Sequence, residues 1–351
     1  MHVHRSLRPV FALAALTLLA AGILGAAAAA SPDSPFKILR RISLGGEGGW
    51  DYVYADPAAH RLYVSHGTRA VVVDTRTDST VGEIAPAMGI HGIAVATGLG
   101  RGWTSNGRDS SVTVFDTKTL ATTGTIKLPA RNPDAIVYDP ASQRVFTFNG
   151  GSGNATAIDA NTGTIAGSVE LGSKPEFAAL DGRGNLWVNL EDSSAIVRID
   201  TKKLAVTGHW SIAPGEGPSG LAFDAAHRRL FSVCGNKTLV VVDADHGNVV
   251  TTLPIGQGVD AAAYDARRGL VFASNGEGTL TVIRQESADR YVVVENAATE
   301  RGARTMAIDE STGLAYLPTA DFGPPPAPTP DRPHPRGSIV PGSFRILVVG
   351  R

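Results

Sequence analysis

The sequence is nearly without cysteine. Cys234 is the one thiol in 351 residues, so no internal disulfide can form and stability has to come from burial. Charge imbalance is also missing. Lys plus Arg number 32 and Asp plus Glu 33, which argues against a nucleic-acid partner, since such partners usually demand a basic face. Past residue 30 no stretch carries the 3.6-residue apolar period of an amphipathic helix. Local catalytic signatures are absent too. There is no Gly-x-Ser-x-Gly elbow, no Cys-x-x-Cys, no haem attachment site and no Gly-rich phosphate loop after a strand.

Long apolar runs are missing with one exception. Residues 11–24 carry no charge, but fourteen residues fall short of the roughly 20 that span a bilayer. His2, His4, Arg5 and Arg8 precede the run, and small residues come after it up to Ala28-x-Ala30. That is the three-part layout of a signal peptide cleaved before Ser31; an uncleaved N-terminal anchor is the other reading. Residues 1–30 hold two basic and no acidic side chains, so the mature chain, residues 31–351, has a net charge of −3. A periplasmic or extracellular, monomeric protein with no remaining membrane span is expected.

What is present is a repeat. Short runs rich in Val, Ile, Thr, Phe and Tyr alternate with Gly, Asn, Asp and Pro, which is strand and turn chemistry. Aspartates closing one run recur at Asp74, Asp116, Asp159, Asp200 and Asp243, spaced by 42, 43, 41 and 43 residues, and Arg284 takes the next place. A second series runs Asp56, Asp139, Asp181, Asp224, Asp265 and Asp309, with Thr97 as its one departure. Four strands per repeat of about 42 residues indicate an all-β, seven-bladed β-propeller. The first strands are expected to start at Trp50, His91, Asp134, Glu176, Ser219, Asp260 and Arg304. The seventh repeat lacks a fourth strand, and residues 37–44 form an orphan strand of the right pattern. Pairing the two closes the ring, so the N-terminal strand completes the last blade, in a single domain over residues 31–351.

Tyr63-Val-Ser-His-Gly with Val72-Val-Asp-Thr, and Thr104-Ser-Asn-Gly with Val114-Phe-Asp-Thr, resemble the YVTN repeat, Tyr-Val-Thr-Asn followed by Val-x-Val-Ile-Asp-Thr. Over residues 36–351 the chain resembles the bacterial, exported YncE-like propellers. The resemblance implies fold and compartment, not a substrate. Some related propellers support periplasmic redox chemistry or sit on cell surfaces, and one branch has been linked to DNA.

Propeller geometry gathers the connections between strands four and one, and between strands two and three, on one face, where ligands usually bind over the channel mouth. The candidate residues there are Trp50, Asp51, His66, His91, Asn106, Asp134, Asn149, Glu176, Asn189, Asp260, Asn275 and Arg304. Asn before Gly also serves tight turns, and aspartates closing a strand also brace backbone amides. His66, His91 and Asp51, from adjacent blades, are donor types that suit a divalent transition metal. A binding scaffold for a small molecule, metal or protein partner is the first functional reading. The second is a metal-dependent hydrolase similar to the gluconolactonase propellers, with Glu47, Asn149, Asn189 and Asp260 as the matching residue types, although those enzymes have six blades. The third is an accessory subunit of a periplasmic redox system. Residues 323–341 hold eight prolines and read as an extended insertion in the last blade, either a solvated loop or a cover or docking segment at the channel mouth.

Export has a direct check. Sequencing the N-terminus of the protein recovered outside the cytoplasm should begin at or near Ser31; intact residues 1–30 on that protein would show that the leader is not removed.

Overall fold

In the computed structural model the residues described are 1–2, 35–327, 329 and 337–351. The expected signal segment and part of the proline-rich insertion therefore lie outside the described residues. Residues Pro35–Arg351 form one compact unit. Its strands group into seven four-stranded antiparallel sheets. Six of these are consecutive in sequence, from Val53–Asp56 through Arg290–Ala298. The first strand of each blade touches that of the next, and the seventh touches the first. The architecture is a seven-bladed β-propeller. Among the described residues, Thr97–Leu99 is a single 3₁₀ turn, and no helix is long and apolar enough to cross a membrane.

Each blade is a sheet with two apolar faces, so it must be covered on both sides. Seven apolar clusters do this, one at each blade-to-blade interface. Tyr63, Val72 and Ile84 of blade one, for example, meet Ile93, Val95 and Phe115 of blade two. A second, polar brace repeats around the rim. Arg101 donates to the carbonyl of Ala160 one blade on (3.0 Å), and Arg144 likewise to Thr201 (2.7 Å). Arg61 reaches Thr117, and Arg229 reaches Ala288 (3.2 Å). In blade four the Trp187 indole does the same, to Ala244 (3.0 Å). These guanidinium bonds satisfy turn carbonyls that hairpins leave without a partner.

The recurrent aspartates hold turns. Asp74, Asp116, Asp159, Asp200 and Asp243 each accept backbone N–H groups two and three residues on, the bracing geometry expected of them. Blade two departs at Thr97, where the 3₁₀ turn replaces the Asp-capped turn and the Thr97 hydroxyl donates instead to Asp56 of blade one (3.3 Å).

The last blade is built from Ala307–Asp309, Leu314–Thr319, Arg345–Gly350 and, on its outer edge, Lys37–Ser43. The N-terminal strand pairs antiparallel with Arg345–Gly350, so the chain's two ends share one sheet. Strict alternation would put Ile38 and Ile42 on one face. The pairing register instead slips between Ile38 and Arg40, and the extra residue reverses the facing of the rest of the strand. Ile38 packs toward blade six, whereas Ile42 packs toward blade one. Arg40 pairs with Asp78 of blade one (2.5 Å) and Arg41 with Glu300 (2.7 Å), in the approach from blade six to blade seven. The closing strand thus ties both neighbours.

Deleting residues 31–44 should lower the thermal midpoint of the whole ring. A graded version separates packing from mere chain length. Ile42→Ala, at a side chain only 4% exposed, should cost about 2–5 kcal/mol, whereas Leu39→Ala, 40% exposed, should cost under about 1 kcal/mol. Equal unfolding midpoints for the two variants would mean that this strand does not seal the ring.

Candidate functional site

At the start of the first strand, or just ahead of it, one place in the repeat is polar in all seven blades: Asp51, His91, Asp134, Glu176, Ser219, Asp260 and Arg304. The local backbone explains why they turn inward. In blades two to six the register between the first and second strands slips at this residue, and a bulge re-aims the side chain it contains. In blades one and seven the ladder begins later, at Val53 and Ala307, not at Trp50 and Arg304 as the spacing predicts. There the backbone bonds across the blade boundary. Thr305 Oγ1 donates to the Asp51 carbonyl (2.7 Å), and Ala261 N–H donates to the Arg304 carbonyl (3.1 Å). Side chain and backbone of this ring are therefore anchored on adjacent blades.

The ring residues face a cavity of about 310 Å³ lined from six blades, including Asp51, Asp134, Glu176, Asp260 and Arg304. Its floor is aromatic. Tyr52 of blade one stacks on Phe177 of blade four, with centroids 4.3 Å apart. Blades one and four are not neighbours, so these rings meet across the central channel. The other blades carry Gly92, Ala135, Gly220, Ala261 and Thr305 at this place, because the strands crowd there. A Cβ on Gly220 would lie 2.4 Å from the Ala262 amide nitrogen.

Charges around the cavity are mostly paired. His91 Nδ1 lies 2.7 Å from Asp51 and 3.7 Å from Asp134. Arg304 donates to Asp260 (2.5 Å), which also accepts from the Ser219 hydroxyl (2.6 Å). Lys174 lies 2.6 Å from Glu176 and closer still to Glu191. The titration behaviour follows from crowding. Burial, then Asp51, push the Asp134 carboxyl up to about 6. Burial pushes Glu176 up to about 8, with the Lys174 bond working against it. Burial disfavours charge on His91, but its bond to Asp51 and the surrounding carboxylates outweigh that and raise its pKa. The Tyr52 hydroxyl is sealed from solvent without a hydrogen-bond partner. Burial, followed by Asp134, Asp51, Glu176 and Asp260, holds its pKa well above the usual tyrosine value.

The sequence candidates divide cleanly by strand. Asp51, Asp134, Glu176, Asp260 and Arg304 line the cavity, and His91 joins them through Asp51. The others do not. His66, Asn106, Asn149 and Asn275 end second strands, at the place held elsewhere by Leu190, Cys234 and Thr319; all seven are at most 1% exposed. This is a core position. Asn149 spends its amide on Asn154 and Thr156 of its own blade, and Asn275 on Thr279 and Thr281. Asn106 bonds Ser111 and Thr113. Asn189, one residue earlier in its strand, donates to the carbonyls of Ser219 and Gly220. His66 stacks on Phe344 (4.2 Å), and burial, then Arg69, depress its pKa. Trp50 stacks on Phe344 (5.3 Å) at the blade seven–one interface. The expected trio Asp51, His66 and His91 is thus replaced by Asp51, His91 and Asp134, whose ligand atoms lie within 4.8 Å of one another. Of the hydrolase-type set Glu47, Asn149, Asn189 and Asp260, only Asp260 lines the cavity.

Tyr52 and Phe177 escape a sequence reading because they sit in strand runs that read as plain core. Their signal is the contrast with glycine, alanine and threonine at the same repeat position. Lys174, Glu191 and Ser219 read only as polar loop residues.

A scan against protein-family models finds no match, and no curated protein matches the chain.

The raised Glu176 pKa has a consequence for stability. A carboxyl whose folded pKa exceeds its unfolded one keeps its proton longer in the folded state. Stability therefore falls as pH rises from the unfolded value, about 4.5, through about 8. Glu176→Gln should remove that part of the decline, leaving a smaller drop in thermal midpoint between pH 5 and pH 8 than in the wild type. Parallel curves would refute the assignment.

Proposed function

We propose that this chain is an exported, YncE-like propeller of the YVTN type that acts as a binding scaffold, and that its channel mouth takes a positively charged ligand. Support for the compartment is the layout of residues 1–30, and support for the family is the repeat residues at 63–67 and 104–107.

One observation carries the choice of ligand charge. Asp51, Asp134, Glu176 and Asp260, from four blades, converge on one 310 Å³ cavity over an aromatic floor. The cations present, His91, Lys174 and Arg304, are each taken up by carboxylates. Burial and mutual repulsion already push Asp134 and Glu176 toward their neutral forms. A cation relieves that repulsion, whereas an anion adds to it. Rings such as Tyr52 and Phe177 also favour a cation at their faces or a nonpolar portion of the same ligand. A rigid ring of loops suits this role, since the fold supplies the frame and the site supplies selectivity.

The test is a thermal-shift panel with zinc chloride, 1,4-diaminobutane and tetramethylammonium against sodium acetate and phosphate. A cation present at 100 times its dissociation constant should add about 2.7 kcal/mol to stability, several degrees in the midpoint. Asp260→Asn should weaken that shift. Stabilisation by the anions alone, or by nothing in the panel, would overturn the reading.

A further inference from the structure

We propose that Asp51, His91 and Asp134 form a three-ligand centre for a divalent transition metal, open on the side that faces the cavity. The proposal rests on the cationic-ligand reading above and narrows it to an ion.

The geometry is that of a site one ion away from complete. Around a tetrahedral ion with ligand bonds of about 2.0–2.2 Å, neighbouring donor atoms stand roughly 3.4 Å apart. His91 Nδ1 stands 2.7 Å from Asp51 Oδ2 and 3.7 Å from Asp134 Oδ1. These two separations bracket the required one, and all three ligand atoms lie within 4.8 Å of one another, so rotations of the side chains about their existing positions would bring them to an ion. One imidazole and two carboxylates match zinc, manganese or ferrous ions better than soft metals, which call for thiolate or thioether. No sulfur lies in the set, and Cys234 is buried elsewhere.

Each donor comes from a different blade, yet each is held from behind. The Asp51 backbone N–H donates to Ser65 Oγ (2.8 Å), and the Asp134 carbonyl accepts from the Ser105 hydroxyl. The His91 ring lies against Gly107, where a Cβ would sit 2.6 Å from Nε2. Glycine at 107 thereby leaves room for the ring. Rigid backing of this kind is what keeps ligands oriented around an ion.

A separate observation concerns a polar group of the cavity wall. Tyr52 lines the same cavity, and its hydroxyl is buried without a hydrogen-bond partner. A buried phenol without a partner forfeits the full desolvation cost of its hydroxyl. It would find an acceptor in a water or an anionic ligand atom carried by the metal. Three protein ligands and an open position are also the pattern of metal sites that take an exogenous ligand, whereas purely structural sites close all four positions. The 310 Å³ of the cavity leaves space for that further ligand beside the ion. Tyr52 is on this view a positioning residue for whatever the metal carries.

The experiment uses the mature chain, stripped with chelator and then titrated separately with Zn²⁺, Mn²⁺ and Co²⁺ at pH 7.5. Bound metal is measured by mass spectrometry after gel filtration, and Co²⁺ is followed by its visible absorption. The wild type should retain one equivalent of at least one of these ions. Asp134→Asn and His91→Gln should each weaken binding at least about tenfold, the loss of a ligand costing no less than the loss of its supporting shell. Tyr52→Phe should retain the ion but alter the Co²⁺ spectrum. His209→Ala, an exposed histidine on an outer strand, should bind as the wild type does. Circular dichroism confirms that each variant is folded. Equal metal retention by the wild type, Asp134→Asn and His91→Gln would overturn the proposal, as would no retention by the wild type. If the wild type holds no metal while diaminobutane still stabilises it, the metal centre fails and the cationic cavity stands. If neither binds, both fail.

Discussion

Closure of the ring governs everything else in this molecule. A blade covers its neighbours and is covered by them, so an open row of seven would leave two apolar sheet faces in water. The strand Lys37–Ser43 removes that problem by pairing with Arg345–Gly350. It joins the first and last described segments of the propeller in one sheet. The register slip at Leu39 then lets one strand serve two interfaces, Ile38 toward blade six and Ile42 toward blade one. With one buried thiol and no disulfide among the described residues, this non-covalent clasp takes the part that a cross-link plays in small disulfide-bonded folds.

Closure also creates the cavity. Seven first strands meet around an axis, and their crowding admits only small residues at five of the seven places below the polar ring. The two exceptions, Tyr52 and Phe177, meet across the channel and give the cavity a floor. In blades two to six the polar ring above it inherits bulges that re-aim its side chains. Carboxylates that would be harmless on separate surface loops are thereby forced together. Their burial together, and with it the raised pKa values of Asp134 and Glu176, owed first to burial and then to neighbouring carboxylates, are products of the ring and of no single blade.

The repeat makes the fold legible. Aspartate spacings, strand composition and the orphan N-terminal strand all point to seven blades and to the way the ring closes, and the sheet order agrees. The site is half legible. Residues opening the first strands stand out in the sequence, because polar side chains at that place in every repeat have no other common reason to be there. Residues ending the second strands mislead. His66 and the asparagines invite a functional reading as polar residues beside turns. The same repeat position holds Leu190 and Cys234, however, and that mixture marks a buried place where an amide is tolerated only if its blade supplies partners. Asn149 and Asn275 find those partners in threonines of the third strand.

The sequence by itself determined the number of blades, the strand that seals the ring and the polar identity of the first-strand ring. All three follow from patterns local to one repeat and copied along the chain. Only the tertiary structure decided which polar residues meet. Asp134 rather than His66 completes the group with Asp51 and His91, and Tyr52 finds Phe177 three blades away. Contacts around a central axis join residues tens to more than a hundred positions apart, at separations that no local spacing encodes. Their choice depends on bulges and strand crowding, which exist only once the ring has closed.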